Sequence, residues 1–269
     1  MNKRIAILIS GHLRNFEDII ENLYNNLIMP ISSEFLYDIY IHTWDSNYTG
    51  DKIACRDKFM NLDIKISKEY IKSLFNNNNM VTKKIIVENQ EQIKNKLKLQ
   101  KYLDDNIKGR SIHGKFDYDY VTEYTKKMFF QYYGHYKVLK TIDNIDDYDF
   151  IIKTRPDLLY EKFDTTLFNH DIFFPESHGG GGTRALGNIN QLFFGGKAEN
   201  MKQILNYFTN IIYFNNNMNY TIINRRCKTD INFNCLFRYY IFNNLEYQPF
   251  FTTYNPKIYR TKNLIVTIT

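Results

Sequence analysis

Lys153, Arg155 and Asp157 stand at alternate positions of Lys-Thr-Arg-Pro-Asp, directly after a short apolar run. Tyr148 and Phe150 to Ile152 read as a buried strand. Pro156 cannot donate to a sheet ladder, so the strand stops there and presents two cations and a carboxylate at its carboxyl end. In an open α/β sheet that edge is where ligands bind. The combination suits a phosphate-bearing ligand and a divalent metal. A surface turn in which Arg155 and Asp157 merely pair with each other is equally consistent with these residues alone.

The elements that would position this group begin at the amino terminus. Residues 4–9, Arg-Ile-Ala-Ile-Leu-Ile, are the nearly continuous apolar run of a strand covered on both faces. The run breaks into Ser10, Gly11, His12, Leu13 and Arg14. An amphipathic helix follows, with Ile19, Ile20, Leu23 and Leu27 on one stripe, and Pro30 is expected to end it. Residues 37–41 read as a second strand closing in His42, Thr43, Trp44 and Asp45. Strand, helix and strand at this spacing form a βαβ unit with parallel neighbours. The loop at 10–14, the polar end at 42–45 and the Lys-Thr-Arg-Pro-Asp turn then share one sheet edge.

Residues 46–116 are polar and charged, and read as a polar helical insertion on the sheet. It holds a helix near 67–75, a short strand at 85–87 and a Lys/Gln-rich helix over 91–103. A long helix over 120–142 carries Met128, Phe129, Tyr132, Tyr136 and Leu139 as a core stripe. Short strands follow at 171–175 and 191–194, the second leading into a helix over 197–214. Between them four consecutive glycines, 179–182, lack the spacing of a phosphate-cradling loop and read as a loop free to close over a ligand, or as an idle one. Thr229 is a candidate N-cap for a later helix, placing Asp230 at its positive end. Closing strands are expected at 247–254 and 264–268.

A chain of 269 residues with 43% hydrophobic content can bury the core of one α/β domain. The net charge of +6 is spread along the chain; it suits an anionic ligand or a membrane-surface partner, and no basic stripe points to nucleic acid. Three cysteines, Cys55, Cys227 and Cys235, are odd in number and lack metal-ligand spacing, which predicts reduced thiols and a cytoplasmic protein. The opening apolar run is too short for a signal peptide, and no segment reaches the ~20 apolar residues needed to span a bilayer.

Three motifs resemble those of a group of GT-A-type glycosyltransferases found in bacterial capsule and lipopolysaccharide clusters and in large DNA viruses. They are Ser-Gly-His-Leu-Arg-x-Phe at 10–16, Asp-Ile-Tyr-Ile-His-Thr-Trp at 38–44 and Lys-Thr-Arg-Pro-Asp-Leu at 153–158. The similarity extends to residues 131–137 and to 190–195 followed by Met201, with 49–115 least covered. Two features depart from the pattern: the plain Asp-x-Asp metal motif is absent, leaving Asp157 in its place, and Asn190 stands where relatives tend to have Asp.

The resemblance implies a GT-A-like, Rossmann-like α/β fold, a mixed, mainly parallel sheet flanked by helices, as a single domain over 1–269. It implies transfer of a sugar from a nucleoside-diphosphate sugar to a glycan or glycolipid acceptor. Asp157 would hold Mn²⁺ or Mg²⁺ through oxygen ligands. Ser10, Gly11, His12 and Arg14 would hold the nucleotide; His42, Thr43 and Trp44 would line its base or ribose. Lys153 and Arg155 would meet the phosphates, with Arg155 favoured as that contact, and Arg260 would add a cation. Asn190 and Gln191 would bind acceptor hydroxyls, and Asp230 would be the catalytic base. The missing second Asp and Asn190 favour an alternative, a carbohydrate- or nucleotide-sugar-binding protein without turnover. A nucleotidyltransferase ranks last, because the first loop carries a single glycine.

Overall fold

The first strand, β1 (Arg4–Ser10), is buried from Ile5 onward because its residues alternate between two apolar layers. Ala6 and Leu8 face one layer and Ile5, Ile7 and Ile9 the other. The computed structural model of the protein describes residues 3–14, 16–45, 65–99, 101, 118–176, 191–209, 237, 240–254 and 256–258. Within them β1 pairs in parallel with β2 (Leu36–Trp44) on one side and β4 (Phe150–Thr154) on the other; Ser10 registers with His42 and Leu8 with Lys153. Outside β2 lies β3 (Thr82–Glu88), also parallel. Beyond β4 come β7 (Phe194–Lys197), β6 (Ile172–Pro175) and β8 (Phe250–Thr252), completing the order β3-β2-β1-β4-β7-β6-β8. Only β7 runs against the others among the described strands. The fold is thus α/β, with a mixed, mainly parallel sheet. A short antiparallel pair, β5 (Leu158–Leu159) with β9 (Lys257–Ile258), stands apart.

Helices cover both faces. On the layer of Ile5, Ile7 and Ile9 lie α1 (Phe16–Leu23) and α3 (Lys68–Asn77), joined through the Phe16 and Phe75 rings. Helix α1 continues through a π-turn over Tyr24–Ile28 into α2 (Met29–Ser32). Pro30 therefore does not end the helix as expected. It sits in the first turn of α2, where a missing N–H is tolerated, and Leu27, Ile28 and Ile31 are fully buried around it.

Part of the segment read as a polar helical insertion belongs to the main sheet. Ser67 caps α3 by accepting from the Tyr70 N–H, the chain returns through β3 as the edge strand, and Asn89 caps α4 (Gln90–Lys96). The opposite layer is built by α5 (Tyr118–Leu139), which packs across β1 and β2, and by α6 (Ala198–Leu205). Met128, Phe129, Tyr132 and Leu139 of α5 are buried there, as the stripe predicted. The strand expected at 191–194 is displaced to β7, so Gln191 precedes it.

Candidate functional site

Strands β1, β2, β3 and β4 end at one edge, in Ser10, Trp44, Glu88 and Thr154. The chain leaves β1 under α1 on one face and enters β4 after α5 on the other, so the order reverses between β1 and β4. Such a reversal opens a crevice at the carboxyl ends of the strands. Two loops face each other across it. Gly11 has φ +137°, a conformation that disfavours any side chain, and its N–H donates to the His42 carbonyl at 3.2 Å. A Cβ on Gly11 would lie 3.3 Å from Pro156 Cδ. The 10–14 loop and the Arg-Pro-Asp turn therefore touch at the switch point, with Arg14 half-buried at the end of its loop.

In that turn the Arg155 guanidinium forks Asp157, Nε to Oδ1 at 2.8 Å and Nη2 to Oδ2 at 2.6 Å. Arg155 and Asp157 thus pair with each other, as the alternative reading has it, with Asp157 1% exposed and the Arg155 side chain 20% exposed. Tyr160 fixes the turn from below: its hydroxyl donates to the Arg155 carbonyl at 3.2 Å and accepts from Thr154 Oγ1 at 2.6 Å. Lys153 is wholly buried on the α5 face, where Nζ donates to the Gln191 carbonyl at 3.1 Å. Burial, and then the Arg155 charge, holds its ammonium well below the usual lysine range, with Asp157 opposing. Asp157, the expected metal ligand, has both oxygens engaged by Arg155. Among the described residues no group of three or more His, Cys, Asp or Glu side chains could hold a metal ion. Among the described residues, this donor set does not fit Mn²⁺ or Mg²⁺.

The neighbouring strand ends form a second cluster. His42 is fully buried, and burial lowers its imidazole below the ordinary range against the pull of Glu88. The Glu88 carboxylate can only accept, so His42 Nε2–H donates to its Oε2 at 2.9 Å. Glu88 also accepts from the Tyr133 hydroxyl at 2.9 Å and pairs with Lys137 Nζ at 3.1 Å. Burial works to raise the Glu88 carboxyl, but the His42, Lys137 and Tyr133 partners outweigh it and bring it down to about 2. Gly134 of α5 presses onto this edge. A Cβ there would meet His42 Nδ1 at 3.4 Å and Ser10 Oγ at 3.7 Å, two buried atoms without a hydrogen-bond partner among the described residues.

Several expected contacts are placed differently. Trp44, expected to line a base or ribose, is 2% exposed, stacked on Tyr133 and edge-on to His42. The half-buried His12 ring lies against Trp44 at the edge. Thr43 is fully buried and alternates with His42 and Trp44, so it faces the opposite layer. Gln191 is 4% exposed; its side-chain oxygen accepts from Gln131 Nε2 at 3.2 Å. Asn190, Asp230, Arg260, the glycine run at 179–182, the three cysteines and the strand expected at 264–268 lie outside the described residues. In the sequence Glu88 carries no assigned role, and Tyr133 and His135 stand out only as part of the 131–137 similarity, without a role in the site. Glu88 had the same signal as the other strand ends, an apolar run closing in a polar residue, but the charge of its surroundings masked it.

No family model matches the chain, and no curated protein matches it. Among solved structures it is similar to the apo form of the glycosyltransferase GlyE from Streptococcus pneumoniae, with a TM-score of 0.40 and 11% identity. The likeness covers 94% of this chain and 45% of that one, so the chain spans less than half of GlyE. A likeness at that level does not define a family.

Proposed function

We propose that the protein is a glycosyltransferase that moves a sugar from a nucleoside-diphosphate sugar to a glycan or glycolipid acceptor. The observation that carries this reading is the meeting of the 10–14 loop and the Arg-Pro-Asp turn at the switch point, with Lys153 and Arg155 beside it. In this reading Ser10, Gly11, His12 and Arg14 hold the nucleotide, and Lys153 and Arg155 face the diphosphate. His42 supports the loop from beneath through its carbonyl. Gln191, with Asn190, approaches the acceptor.

The reaction breaks the bond between the anomeric carbon and the phosphate oxygen and forms one to the acceptor oxygen. The leaving diphosphate carries new charge, which fixed cations in a water-poor site stabilise strongly. The acceptor proton passes to a base, for which Asp230 is the candidate. Asp157 acts by holding Arg155 in a fixed fork, so no step is routed through a metal. No helix among the described residues is long and apolar enough to cross a membrane. A cytoplasmic enzyme of surface-polysaccharide assembly, meeting its acceptor in solution or at a membrane face, is the setting we propose.

The engagement of Asp157 by Arg155 favours a second reading, a nucleotide-sugar-binding protein without turnover. Thermal shift against UDP-, GDP-, CMP- and dTDP-sugars, with EDTA or with Mn²⁺, tests both, because a ligand of the native state raises the melting temperature. A shift with one nucleotide class and sugar transfer to an added acceptor supports the enzyme. A shift without transfer or donor hydrolysis supports the binding protein, and no shift with any donor overturns the nucleotide-sugar reading.

A further inference from the structure

Lys153 is among the largest fully buried side chains of the protein and is the only charged one of them among the described residues. It sits on β4 between its register partners Leu8 and Phe194. Among the described residues its Nζ has one hydrogen-bond acceptor, the Gln191 carbonyl, and it lies 5.9 Å from the centroid of the Phe194 ring. An ammonium carries three N–H donors, and burying one without matching partners is costly. The carboxylate closest in sequence cannot serve, since Arg155 engages both oxygens of Asp157.

His135 stands at the same aromatic ring. Its imidazole packs edge-on to Phe194 at 6.0 Å and to Tyr132 at 5.5 Å, and it is 2% exposed. Its Nε2 has no hydrogen-bond partner among the described residues. Burial first, then the charges of Lys153 and Arg155, lowers this imidazole far below its ordinary range. Two nitrogens capable of donating thus lie near the Phe194 ring, and the side chain of the Arg155 fork is 20% exposed.

We propose that Lys153 Nζ and His135 Nε2 form a buried anion site that takes the oxygens of a phosphoryl group, with Arg155 at its mouth. Resting on the nucleotide-sugar reading, that group is a phosphate of the donor's diphosphate. The site meets the phosphate with the Lys153 and His135 N–H donors and the Arg155 guanidinium, so binding does not require a divalent ion. Gln191 is the residue that yields: its carbonyl gives up or shares Lys153 as the anion enters, and the Gln131 hydrogen bond to its side chain sets how readily it moves.

The test is calorimetric titration, in EDTA, of wild type, Lys153→Met and His135→Phe with UDP, GDP, CDP, dTDP and inorganic pyrophosphate. Lys153→Met keeps the length of the side chain and replaces an under-paired buried cation with an apolar group, a change that is often neutral or stabilising. His135→Phe keeps the ring packing and removes Nε2. One nucleoside diphosphate is expected to bind wild type without metal and to lose about ten- to a hundredfold in affinity in each variant, with melting temperatures not lowered. Undiminished nucleotide binding in both variants overturns the anion site and leaves the nucleotide-sugar reading standing. Binding of pyrophosphate alone, lost in both variants, upholds the anion site and overturns that reading. No binding of any of the five to wild type overturns both.

Discussion

One hydrogen bond, His42 Nε2–H to Glu88 Oε2 at 2.9 Å, joins the carboxyl ends of β2 and β3, and Glu88 in turn anchors α5 through Tyr133 and Lys137. The edge strand and the helix over the site are thereby tied to a single carboxylate. Its folded value of about 2 lies below the ordinary glutamate value of 4.5, so the unfolded chain binds the proton more readily. The stabilisation is fully present above pH 4.5 and is lost as the pH falls through 2. We expect Glu88→Gln to cost on the order of 2 kcal/mol at neutral pH, and the gap to wild type to narrow between pH 4.5 and 2. Denaturant unfolding at pH 7, 4 and 3 measures it. A gap that stays constant across that range would show that the charge of Glu88 contributes nothing.

Breaking the Arg155–Asp157 fork separates its two candidate roles. Asp157→Asn leaves a guanidinium facing a buried amide, and removing one partner of a buried pair costs about 3–5 kcal/mol. If Asp157 acts by orienting Arg155, nucleotide affinity falls by the same factor in EDTA and in Mn²⁺. Titration under both conditions decides. A Mn²⁺-dependent gain seen in wild type and abolished in Asp157→Asn would return Asp157 to the role of metal ligand.

The central sheet was legible because its strands are covered on both faces. Residues 5–9 and 150–152 are unbroken apolar runs, and the polar residues that close them mark the ligand edge. What the sequence did not reveal is which edge residues point inward, since that depends on what packs above them. Trp44 has the same strand position as an open contact residue, but Tyr133 and Phe130 of α5 cover it. Lys153 reads as a phosphate contact at the strand's end, and the structure encloses it between Gln191 and Phe194. Pro30 reads as a helix stop, a local rule overridden by the π-turn before it and three buried aliphatic side chains.

Gly134 tests how closely α5 presses on the strand ends. Alanine fits, since its Cβ meets His42 Nδ1 and Ser10 Cβ at 3.4 and 3.6 Å, and helix propensity favours it by up to about 1 kcal/mol. We expect Gly134→Ala to stay within about 1 kcal/mol of wild type and Gly134→Leu to lose about 1–3 kcal/mol through overpacking. Thermal unfolding of the two variants side by side reads this directly. Equal melting temperatures would show that the helix has room over Ser10 and His42.

Gly11 carries two constraints that a double-mutant cycle can separate. Its φ of +137° strains any residue with a side chain by about 1–3 kcal/mol, and its would-be Cβ lies 3.3 Å from Pro156 Cδ. Gly11→Ala should therefore destabilise the protein by about that amount and weaken nucleotide binding further, by pushing the 10–14 loop off the Arg-Pro-Asp turn. Pro156→Ala in the same chain removes the steric half and leaves the backbone strain. We expect the double variant to recover part of the lost affinity and little of the lost stability, giving a coupling energy in the binding cycle and a smaller one in the folding cycle. Strictly additive losses in affinity would mean that the two loops do not act together on a ligand, and would remove the central observation on which the donor site rests.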